Sequence, residues 1–461
     1  MQQNNFTSKT KMHIHFIAIG GSAMHNLALA LAEKGENISG SDDTIFEPSK
    51  SRLAEVGILP EKEGWFPEKI TENIDAVILG MHAKADNPEL AKAEELDLPI
   101  YSYPEFLFEH SKSKTRVVIG GSHGKTTISA MILHALHYHD REVDFMIGAQ
   151  LKGFKNMVHL TEENDFMLLE GDEYLSSAID RRPKFHLYHP NIALLSGIAW
   201  DHINVFPTLE NYVEQFETFV ETMEHGSVLV YNEEDETLKS IAEKAEKPVR
   251  KHPYRTPQYR IQNGTTLLDT PEGEMPLEIF GKHNLNNLAG AKWVCQFMGI
   301  DEADFYEAIA TFEGASKRLE KIADSDNTVI FKDYAHSPSK VEATTKAVKN
   351  QYQDKKLIAC FELHTYSSLD SEFLSHYKNT LNAADEAVIF YSPKAIKIKG
   401  LKNIEPQDIR DAFQHKNVRI FTEGKEFVNY LKTLELKDAV LLLMSSGNYG
   451  GLDFDELKDW V

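Results

Sequence analysis

The chain has 461 residues, of which 42% are hydrophobic and 26% charged, a composition typical of a soluble globular protein of about three domains. Its formal net charge of −22 argues against a nucleic-acid partner, which needs a basic face. No apolar run approaches the roughly 20 residues that span a bilayer. The polar start, MQQNNFTSKTKM, lacks a signal-peptide core. We therefore expect a cytoplasmic protein without membrane partners, a monomer or weak homodimer, whose two cysteines are reduced core thiols.

The first segment predicts a small α/β domain, residues 1–112. Residues 12–20 (MHIHFIAIG) indicate a buried strand, a helical pattern follows, and residues 74–80 indicate a second strand. The loop between the first strand and the helix is a degraded dinucleotide-binding pattern, with alanine at the first and third glycine positions. Its candidate ligand-binding residues are Gly20, Gly21, Ser22, Ala23 and Met24, joined by Ser41 and Asp42 after the next strand. The pattern is compatible with a nucleotide diphosphate, a dinucleotide or a simple packing turn.

A stronger phosphate-binding pattern opens the second segment, which predicts a central domain over residues 113–314. The strand TRVVIGG leads into the loop SHGK and a helix, which is the context a phosphate-binding loop requires. Ile119 stands where the full pattern has glycine, so this is a shortened variant. The candidate nucleotide-binding residues are Gly121, Ser122, His123, Gly124, Lys125, Thr126 and Thr127. Lys125 is expected to bridge β- and γ-phosphate oxygens, and Thr126 to reach a magnesium ion.

Acidic residues follow at the ends of the next two predicted strands. Glu170 lies near the end of the run DFMLLEG and Glu173 follows two residues after it, and Asp201 and His202 follow NIALLSGI. Because the carboxyl ends of parallel strands line one edge of a sheet, these side chains are expected near the phosphate loop. Oxygen ligands suit magnesium, whereas a histidine ligand is less usual.

The remaining sequence predicts a small antiparallel addition and a third α/β domain. Residues 226–280 are turn-rich with short alternating stretches, and a helix is expected at about 284–299. Strand-like runs then alternate with helical stretches over residues 315–461. The predicted fold class is α/β, with three domains in series, each built on a mainly parallel sheet with flanking helices.

Four ordered motifs resemble those of the Mur ligase family of peptidoglycan enzymes. They are GGSHGKTT, the pair EGDEY and WDH, GKHNLNN, and KRLE followed by DYAHSP. The resemblance covers the chain from Met12 onward. It implies a Rossmann-like N-terminal domain for a UDP-linked substrate, a P-loop ATPase domain and a Rossmann-like C-terminal domain.

The resemblance also implies roles for individual residues. ATP and Mg2+ are the implied cofactors, with the metal held by Thr126, Glu170, Glu173 and His202. Asn284 and Asn287 match the residues that contact adenine, and Arg318 and Asp333 match those that complete the nucleotide site. The implied catalytic set is Lys125, Glu170, His202, Arg318, Asp333 and His336. His364 and Tyr366 match a motif of the acceptor-binding domain.

The implied reaction joins the lactyl carboxylate of UDP-N-acetylmuramate to an amine through an acyl phosphate. The segment EGDEYLSSAIDRRPKF and the ending MSSGNYGG favour the tripeptide L-alanyl-γ-D-glutamyl-meso-diaminopimelate as the acceptor, as in peptidoglycan recycling. The segment HTYS favours L-alanine, as in peptidoglycan biosynthesis. A general base could be His336 or His202, or solvent alone could suffice.

Two departures from the family pattern concern the site. Lys332 stands where the family has an acid before Asp333, and residues 203–224 lack the lysine that several relatives carbamylate. Two other function classes are compatible with single features. An NAD(P)-dependent oxidoreductase would explain the first glycine loop, and a nucleotide-switch binding protein would explain the second.

Overall fold

The structure, a computed structural model, describes residues 11–151, 153–315, 318–325 and 327–460. The first ten residues of the polar start and Lys317 of the KRLE motif lie outside these ranges. Within the described ranges, no helix is long and apolar enough to cross a membrane.

The N-terminal sheet has four parallel strands: β1 (His13–Ile17), β2 (Asn37–Ser41), β3 (Ala76–Leu79) and β4 (Ile100–Ser102). Their order is β2-β1-β3-β4, with the first predicted strand at its centre. The helices of this domain are α1 (Ser22–Glu33), α2 (Ser49–Glu55), α3 (Pro88–Glu95) and α4 (Tyr103–Ser111). Helix α4 begins with a capping box, in which Ser102 and Glu105 satisfy each other's backbone N–H groups.

The central sheet has seven strands: β5 (Thr115–Gly120), β6 (Asp144–Met146), β7 (Val158–His159), β8 (Phe166–Glu170), β9 (Ile192–Leu195), β10 (Val228–Asn232) and β11 (Arg250–Tyr254). The order is β11-β10-β9-β5-β8-β6-β7, and only β7 is antiparallel to its neighbour. The accompanying helices are α5 (Lys125–Tyr138), α6 (Leu209–Thr222), α7 (Glu236–Lys244), α8 (Lys282–Phe297) and α9 (Glu302–Ile309). Because β8 and β9 flank β5, their carboxyl ends lie beside the loop that follows Gly120.

The prediction for residues 226–280 is wrong over its first half. Strands β10 and β11 continue the parallel central sheet, connected by α7. Only β12 (Tyr259–Gln262), β13 (Thr265–Thr270) and β14 (Gly273–Leu277) form the expected antiparallel addition. The run VLVYN is buried along most of its length, as a central parallel strand requires, but the many turn residues around it masked this pattern.

The C-terminal sheet has six strands: β15 (Glu320–Asp324), β16 (Thr328–Asp333), β17 (Lys356–Leu363), β18 (Glu386–Tyr391), β19 (Val418–Phe421) and β20 (Ala439–Met444). The order is β15-β16-β20-β17-β18-β19, and only β15 is antiparallel to its neighbour. Its helices are α10 (Pro338–Gln351), α11 (Pro393–Ile398), α12 (Pro406–Phe413) and α13 (Gly424–Lys432). The predicted α/β class with three domains in series is confirmed, and each domain has a mainly parallel sheet.

Candidate active site

A cavity of about 620 Å³ is lined by the carboxyl end of the central sheet, by the start of α8 and by one face of α10. It contains most of the predicted nucleotide-binding residues: Ser122, His123, Gly124, Lys125, Thr126, Thr127, Asn284, Asn287, Arg318 and Asp333. Glu170 also lines it. The geometry therefore brings together motifs that lie more than 200 residues apart in the sequence.

The phosphate loop has a conformation that depends on glycine. Gly121 has φ +128° and Gly124 has φ +82°, a region that residues with a Cβ adopt at a cost. A Cβ on Gly121 would collide with Ser196, and one on Gly124 with Asn287. Gly124 is also the N-cap of α5, so the free N–H groups at the start of this helix lie at the cavity, where an anion is stabilised.

Lys125 lies at the first position of α5 and is held by two oxygen atoms. Its Nζ donates to the carbonyl of Gly121 at 2.6 Å and to Oε2 of Glu173 at 2.5 Å. Burial lowers the pKa of Lys125, but the charges of Glu173 and Asp172 outweigh burial and raise it overall. The lysine is therefore a fixed positive charge beside the loop.

Thr126 and Glu170 form a buried pair of oxygen donors. The hydroxyl of Thr126 donates to Oε1 of Glu170 at 2.8 Å, and the N–H of Gly148 donates to Oε2 at 2.7 Å. This places a hydroxyl and a carboxylate side by side at the mouth of the phosphate loop. Such an oxygen pair fits Mg2+, which proteins commonly hold by one or two carboxylates together with substrate phosphates.

Glu173, which accepts the hydrogen bond from Lys125, also lies close to His202. Oε1 of Glu173 is 2.9 Å from the Tyr212 hydroxyl and 3.8 Å from Nε2 of His202. His202 has a φ of +56°, which is uncommon for a residue with a side chain and costs backbone energy. In the described part of the chain, no group of three or more His, Cys, Asp or Glu side chains is arranged to hold a metal by itself.

Asp333 ends β16, and Arg318 lies two residues before β15, the neighbouring strand of the C-terminal sheet. Asp333 is buried, and its carboxylate accepts hydrogen bonds from the N–H of Leu319 at 3.0 Å and the hydroxyl of Thr344 at 2.6 Å. The bond to Leu319 fixes the backbone next to Arg318, whose guanidinium lies 4.9 Å from the centre of the Tyr334 ring. Asp333 is thus placed to position Arg318.

Lys332, the departure from the family pattern, does not face the cavity. Its Nζ lies 3.7 Å from the centre of the Phe454 ring. Because successive residues of a strand point to opposite faces of the sheet, Lys332 and Asp333 have different surroundings.

His336 and Asp201 approach each other where the central and C-terminal domains meet. Nε2 of His336 lies 3.9 Å from Oδ2 of Asp201, and Nδ1 lies 2.9 Å from the Tyr334 carbonyl. A nitrogen that faces a carbonyl must donate, so Nε2 carries the lone pair. Burial and the charge of Lys340 lower the pKa of His336 to about 3. Burial raises the pKa of Asp201, but Lys340 and the nearby histidines outweigh it and lower it to about 2.

The first glycine loop is organised by the residues predicted to bind substrate. Asp42 accepts a hydrogen bond from the N–H of Gly20 at 2.7 Å, and the carbonyl of Ser41 accepts from Ala18 at 2.9 Å. Ala18 has φ +69°, the conformation that favours the glycine of the full pattern. The side chain of Ser41 is buried, so Ser41 and Asp42 brace the loop itself.

The two predicted acceptor residues lie outside the cavity. Nδ1 of His364 is 3.5 Å from Oε1 of Glu362, a buried acid at the end of β17. Tyr366 is exposed. Glu362 also accepts a hydrogen bond from the N–H of Tyr449 at 2.8 Å, so it ties the MSSGNYGG loop to the same sheet end.

Asn286 and Lys340 are among the cavity residues that were not predicted from the sequence. Asn286 donates to Oδ1 of Asn232 at 3.2 Å and faces the cavity, whereas the amide of Asn284 donates to the carbonyl of Phe280 at 3.0 Å. Lys340, in the first turn of α10, also lines the cavity. The spacing of the GKHNLNN motif could have indicated Asn286, but a lysine at the start of a polar helix gives no such signal.

Comparison with known families follows the same three-part division. The "Mur ligase family, catalytic domain" matches residues 13–115, the "Mur ligase middle domain" residues 119–295, and the "Mur ligase, glutamate ligase domain" residues 317–447. The chain belongs to the Mur ligase family. Mur ligases are ATP-dependent, ADP-forming enzymes that make amide bonds in peptidoglycan synthesis, and the cavity is accordingly the candidate site for ATP.

Individual relatives differ in their acceptors. The UDP-N-acetylmuramate--L-alanine ligase of Desulfitobacterium hafniense is 28% identical over 95% of this chain and 98% of its own length. The structure of the UDP-N-acetylmuramate-alanine ligase MurC of Thermotoga maritima has a TM-score of 0.71 at 20% identity, covering 97% of this chain and 98% of its own. The structure of the UDP-N-acetylmuramate:L-alanyl-gamma-D-glutamyl-meso-diaminopimelate ligase of Neisseria meningitides has a TM-score of 0.59 at 26% identity. The match covers 66% of this chain and 98% of the Neisseria chain.

Proposed function

We propose that this Mur ligase uses ATP to couple the lactyl carboxylate of UDP-N-acetylmuramate to the amine of L-alanine. The observation that carries this proposal is the near full-length similarity to the Desulfitobacterium enzyme, which is named for that reaction. Free L-alanine therefore takes precedence over the tripeptide that the sequence motifs favoured. The tripeptide also begins with an L-alanyl amine, so the attacking group is the same in both cases.

The candidate nucleotide site supports specific roles. Lys125 and the N–H groups of the loop 121–127 stabilise the β- and γ-phosphates, while Asn284, Asn286 and Asn287 surround the base. Arg318, positioned by Asp333, approaches the phosphates from the C-terminal domain. Thr126 and Glu170 would hold Mg2+, with Glu173 and His202 beside them. When bound, Mg2+ withdraws negative charge from the phosphates and so favours transfer of the γ-phosphoryl group.

The reaction then proceeds in two steps. The carboxylate oxygen of the muramate attacks the γ-phosphorus, the bond to the bridging oxygen breaks, and its electron pair leaves with ADP. The neutral amine next attacks the acyl carbon, forming a tetrahedral intermediate whose C–O bond to phosphate breaks. The ammonium proton passes to a base. A pKa of about 3 makes Nε2 of His336 a weak base, and we assign the transfer to His202 or to bulk solvent.

The two outer domains would bind the other substrates. We assign the UDP part to the loop Gly20–Met24 and the acceptor to the region of His364 and Tyr366. We place the domain boundaries after residues 112 and 314, and we expect the enzyme to act as a monomer or weak homodimer in the cytoplasm, where ATP and UDP-linked sugars occur. Division of the site among three domains excludes water from the acyl phosphate when they close.

The tripeptide is the second candidate acceptor. The Neisseria relative is named for it, and Arg181 and Arg182 are exposed on the segment that follows Glu173. The tripeptide carries three carboxylates and alanine carries one, so a basic segment suits the larger acceptor.

An acceptor competition tests this proposal. The enzyme is given ATP, Mg2+ and UDP-N-acetylmuramate with equal concentrations of L-alanine and tripeptide. The two amide products are then identified and quantified by mass spectrometry. A predominant alanine product supports the first proposal, and a predominant tripeptide product replaces it with the second. Formation of neither product, in protein that binds ATP, contradicts both. Replacing Arg181 and Arg182 with glutamine lowers kcat/KM only for the tripeptide if those residues contact it.

A further inference from the structure

We propose that Lys340 is a catalytic residue that binds the γ-phosphoryl group of ATP during its transfer. This inference rests on the proposed function for the reaction itself, but its nucleotide contact stands on separate observations. Lys340 lies in the third position of α10, whose first residue is Pro338 and whose N-cap is Ser337. It lines the cavity together with Lys125 and Arg318.

The position of Lys340 is unfavourable for an ordinary structural lysine. The start of a helix is its positive end, so a cation in the first turn is destabilising. The side chain is only 19% exposed, and Lys125 and Arg318 add two more positive charges close by. Burial accordingly lowers the pKa of Lys340, and although Asp201 opposes this effect, the pKa remains below its usual value. Such an arrangement is retained where an anion balances the charge.

The ammonium group of Lys340 has no direct hydrogen bond to protein in the part of the chain that the structure describes. Its nearest acid is Asp201, with Nζ 3.6 Å from Oδ2, beyond the 2.7–2.9 Å or so of a charge-assisted hydrogen bond. Lys125, by comparison, lies 2.5 Å from Glu173. A lysine ammonium has three donors, so those of Lys340 remain available to an acceptor in the cavity.

The surroundings of Lys340 indicate which part of a nucleotide it contacts. It lines the same cavity as His123 of the phosphate loop, and both Lys340 and His336 lie within 4 Å of Oδ2 of Asp201, so Lys340 faces the phosphate loop from the C-terminal domain. The base-binding asparagines are on α8. A nucleotide with its base there and its β-phosphate at the loop would direct its terminal phosphate toward Lys340.

Lys340 would therefore act at the step in which the bond between the γ-phosphorus and the bridging oxygen breaks. Negative charge on the transferred group is then shared among Lys125, Arg318 and Lys340. Because Lys340 belongs to the C-terminal domain and Lys125 to the central one, the full set of cations assembles only when the two domains meet. Lys340 thereby makes transfer depend on domain closure.

The test compares binding of ADP and of β,γ-methylene-ATP by calorimetry for the wild type, Lys340→Met, Asp201→Asn and Lys349→Met. Lys349 is a matched control, since it lies on the same helix but pairs with Asp385 at 2.9 Å. We expect Lys340→Met to weaken β,γ-methylene-ATP about tenfold or more relative to ADP, as the loss of a charge-assisted contact predicts. Lys349→Met should leave the ratio unchanged, and Lys340→Arg should restore part of it.

Asp201→Asn separates this role from a structural one. If Lys340 contacts the γ-phosphate, removing its acidic neighbour leaves the preference for the triphosphate intact or strengthens it. If Lys340 only joins the domains through Asp201, then Lys340→Met and Asp201→Asn change the two affinities equally, and the proposal is wrong. Normal ADP binding by Lys340→Met shows that this variant is folded.

Failure of this inference is distinguishable from failure of the proposed function. An unchanged affinity ratio in Lys340→Met, with normal amide formation by the wild type, overturns only the role of Lys340. A reduced ratio in an enzyme that forms neither amide overturns the substrate assignment and supports the phosphate contact.

Discussion

Replacing Thr126 with valine tests the oxygen pair that we assign to Mg2+. Thr126→Val keeps the side-chain volume nearly constant and removes the hydroxyl that donates to Glu170 at 2.8 Å. Both residues are buried, so a carboxylate oxygen loses one of its partners while Gly148 still satisfies the other oxygen. The loss of a hydrogen bond to a charged group costs about 1.5–3 kcal/mol.

This cost translates into two measurable changes. For a domain of about 200 residues, each kcal/mol lowers Tm by roughly 2–4 °C, so the transition of the central domain should fall by about 3–12 °C. The Mg2+ concentration for half-maximal phosphate release should also rise at least about tenfold, as for other changes in the support of a metal site. Calorimetry and a phosphate-release assay with graded Mg2+ measure these effects.

Ser129→Ala on the same helix provides the control. Ser129 is fully buried, and its hydroxyl has no hydrogen-bond partner among the described residues, so its removal should be neutral or slightly stabilising. Equal Tm values for Thr126→Val and Ser129→Ala, together with an unchanged Mg2+ requirement, would refute the assignment of Thr126 and Glu170.

Three further predictions concern other parts of the molecule. First, burial lowers the pKa of His123 to about 4 and that of His336 to about 3, both below the unfolded value of about 6.5. Their neutral forms favour folding above pH 6.5, and this contribution should be lost progressively as the pH falls toward 4; equal urea stability at pH 7 and pH 5 would argue against it. Second, Gly20→Ala should raise the KM for UDP-N-acetylmuramate several-fold, since a Cβ would lie 2.9 Å from Oδ2 of Asp42; an unchanged KM would remove this loop from the substrate site. Third, Lys332→Ala should leave kcat within about twofold, because Lys332 packs on Phe454, while unfolding free energy falls by about 0.5–1 kcal/mol; a large loss of kcat would show that Lys332 acts at the site.

The positions in the fold of the residues that belong to the phosphate-loop and acidic motifs could be predicted from the sequence. Lys125 and Thr126 follow a strand and begin a helix, and Glu170 ends the neighbouring strand, so the rules of parallel sheets are sufficient to bring them together. The alternation of strands and helices likewise predicted the three sheets. These inferences depend on local pattern, which a single sequence displays directly.

Residues whose environment is set by distant contacts could not be predicted in the same way. In the sequence, Lys340 is an ordinary lysine in a polar helix. Only the folded structure shows that α10 places it near Asp201, which precedes it by more than 100 residues. Tyr212 lies on the buried face of α6, and only the packing of that helix brings its hydroxyl close enough to donate a hydrogen bond to Glu173. The pairing of β10 with β9 depends on burial of β10 on both faces, which the surrounding turn residues concealed.

The acyl phosphate is the central chemical claim, and isotope transfer tests it most directly. UDP-N-acetylmuramate labelled with 18O in both lactyl carboxylate oxygens is converted with ATP, Mg2+ and L-alanine or the tripeptide, and the released phosphate is analysed by mass spectrometry. Attack of the carboxylate on the γ-phosphorus predicts one 18O atom in each phosphate formed with amide, and ADP as the other product. Unlabelled phosphate, or label in AMP, would contradict the mechanism that we assign to this site.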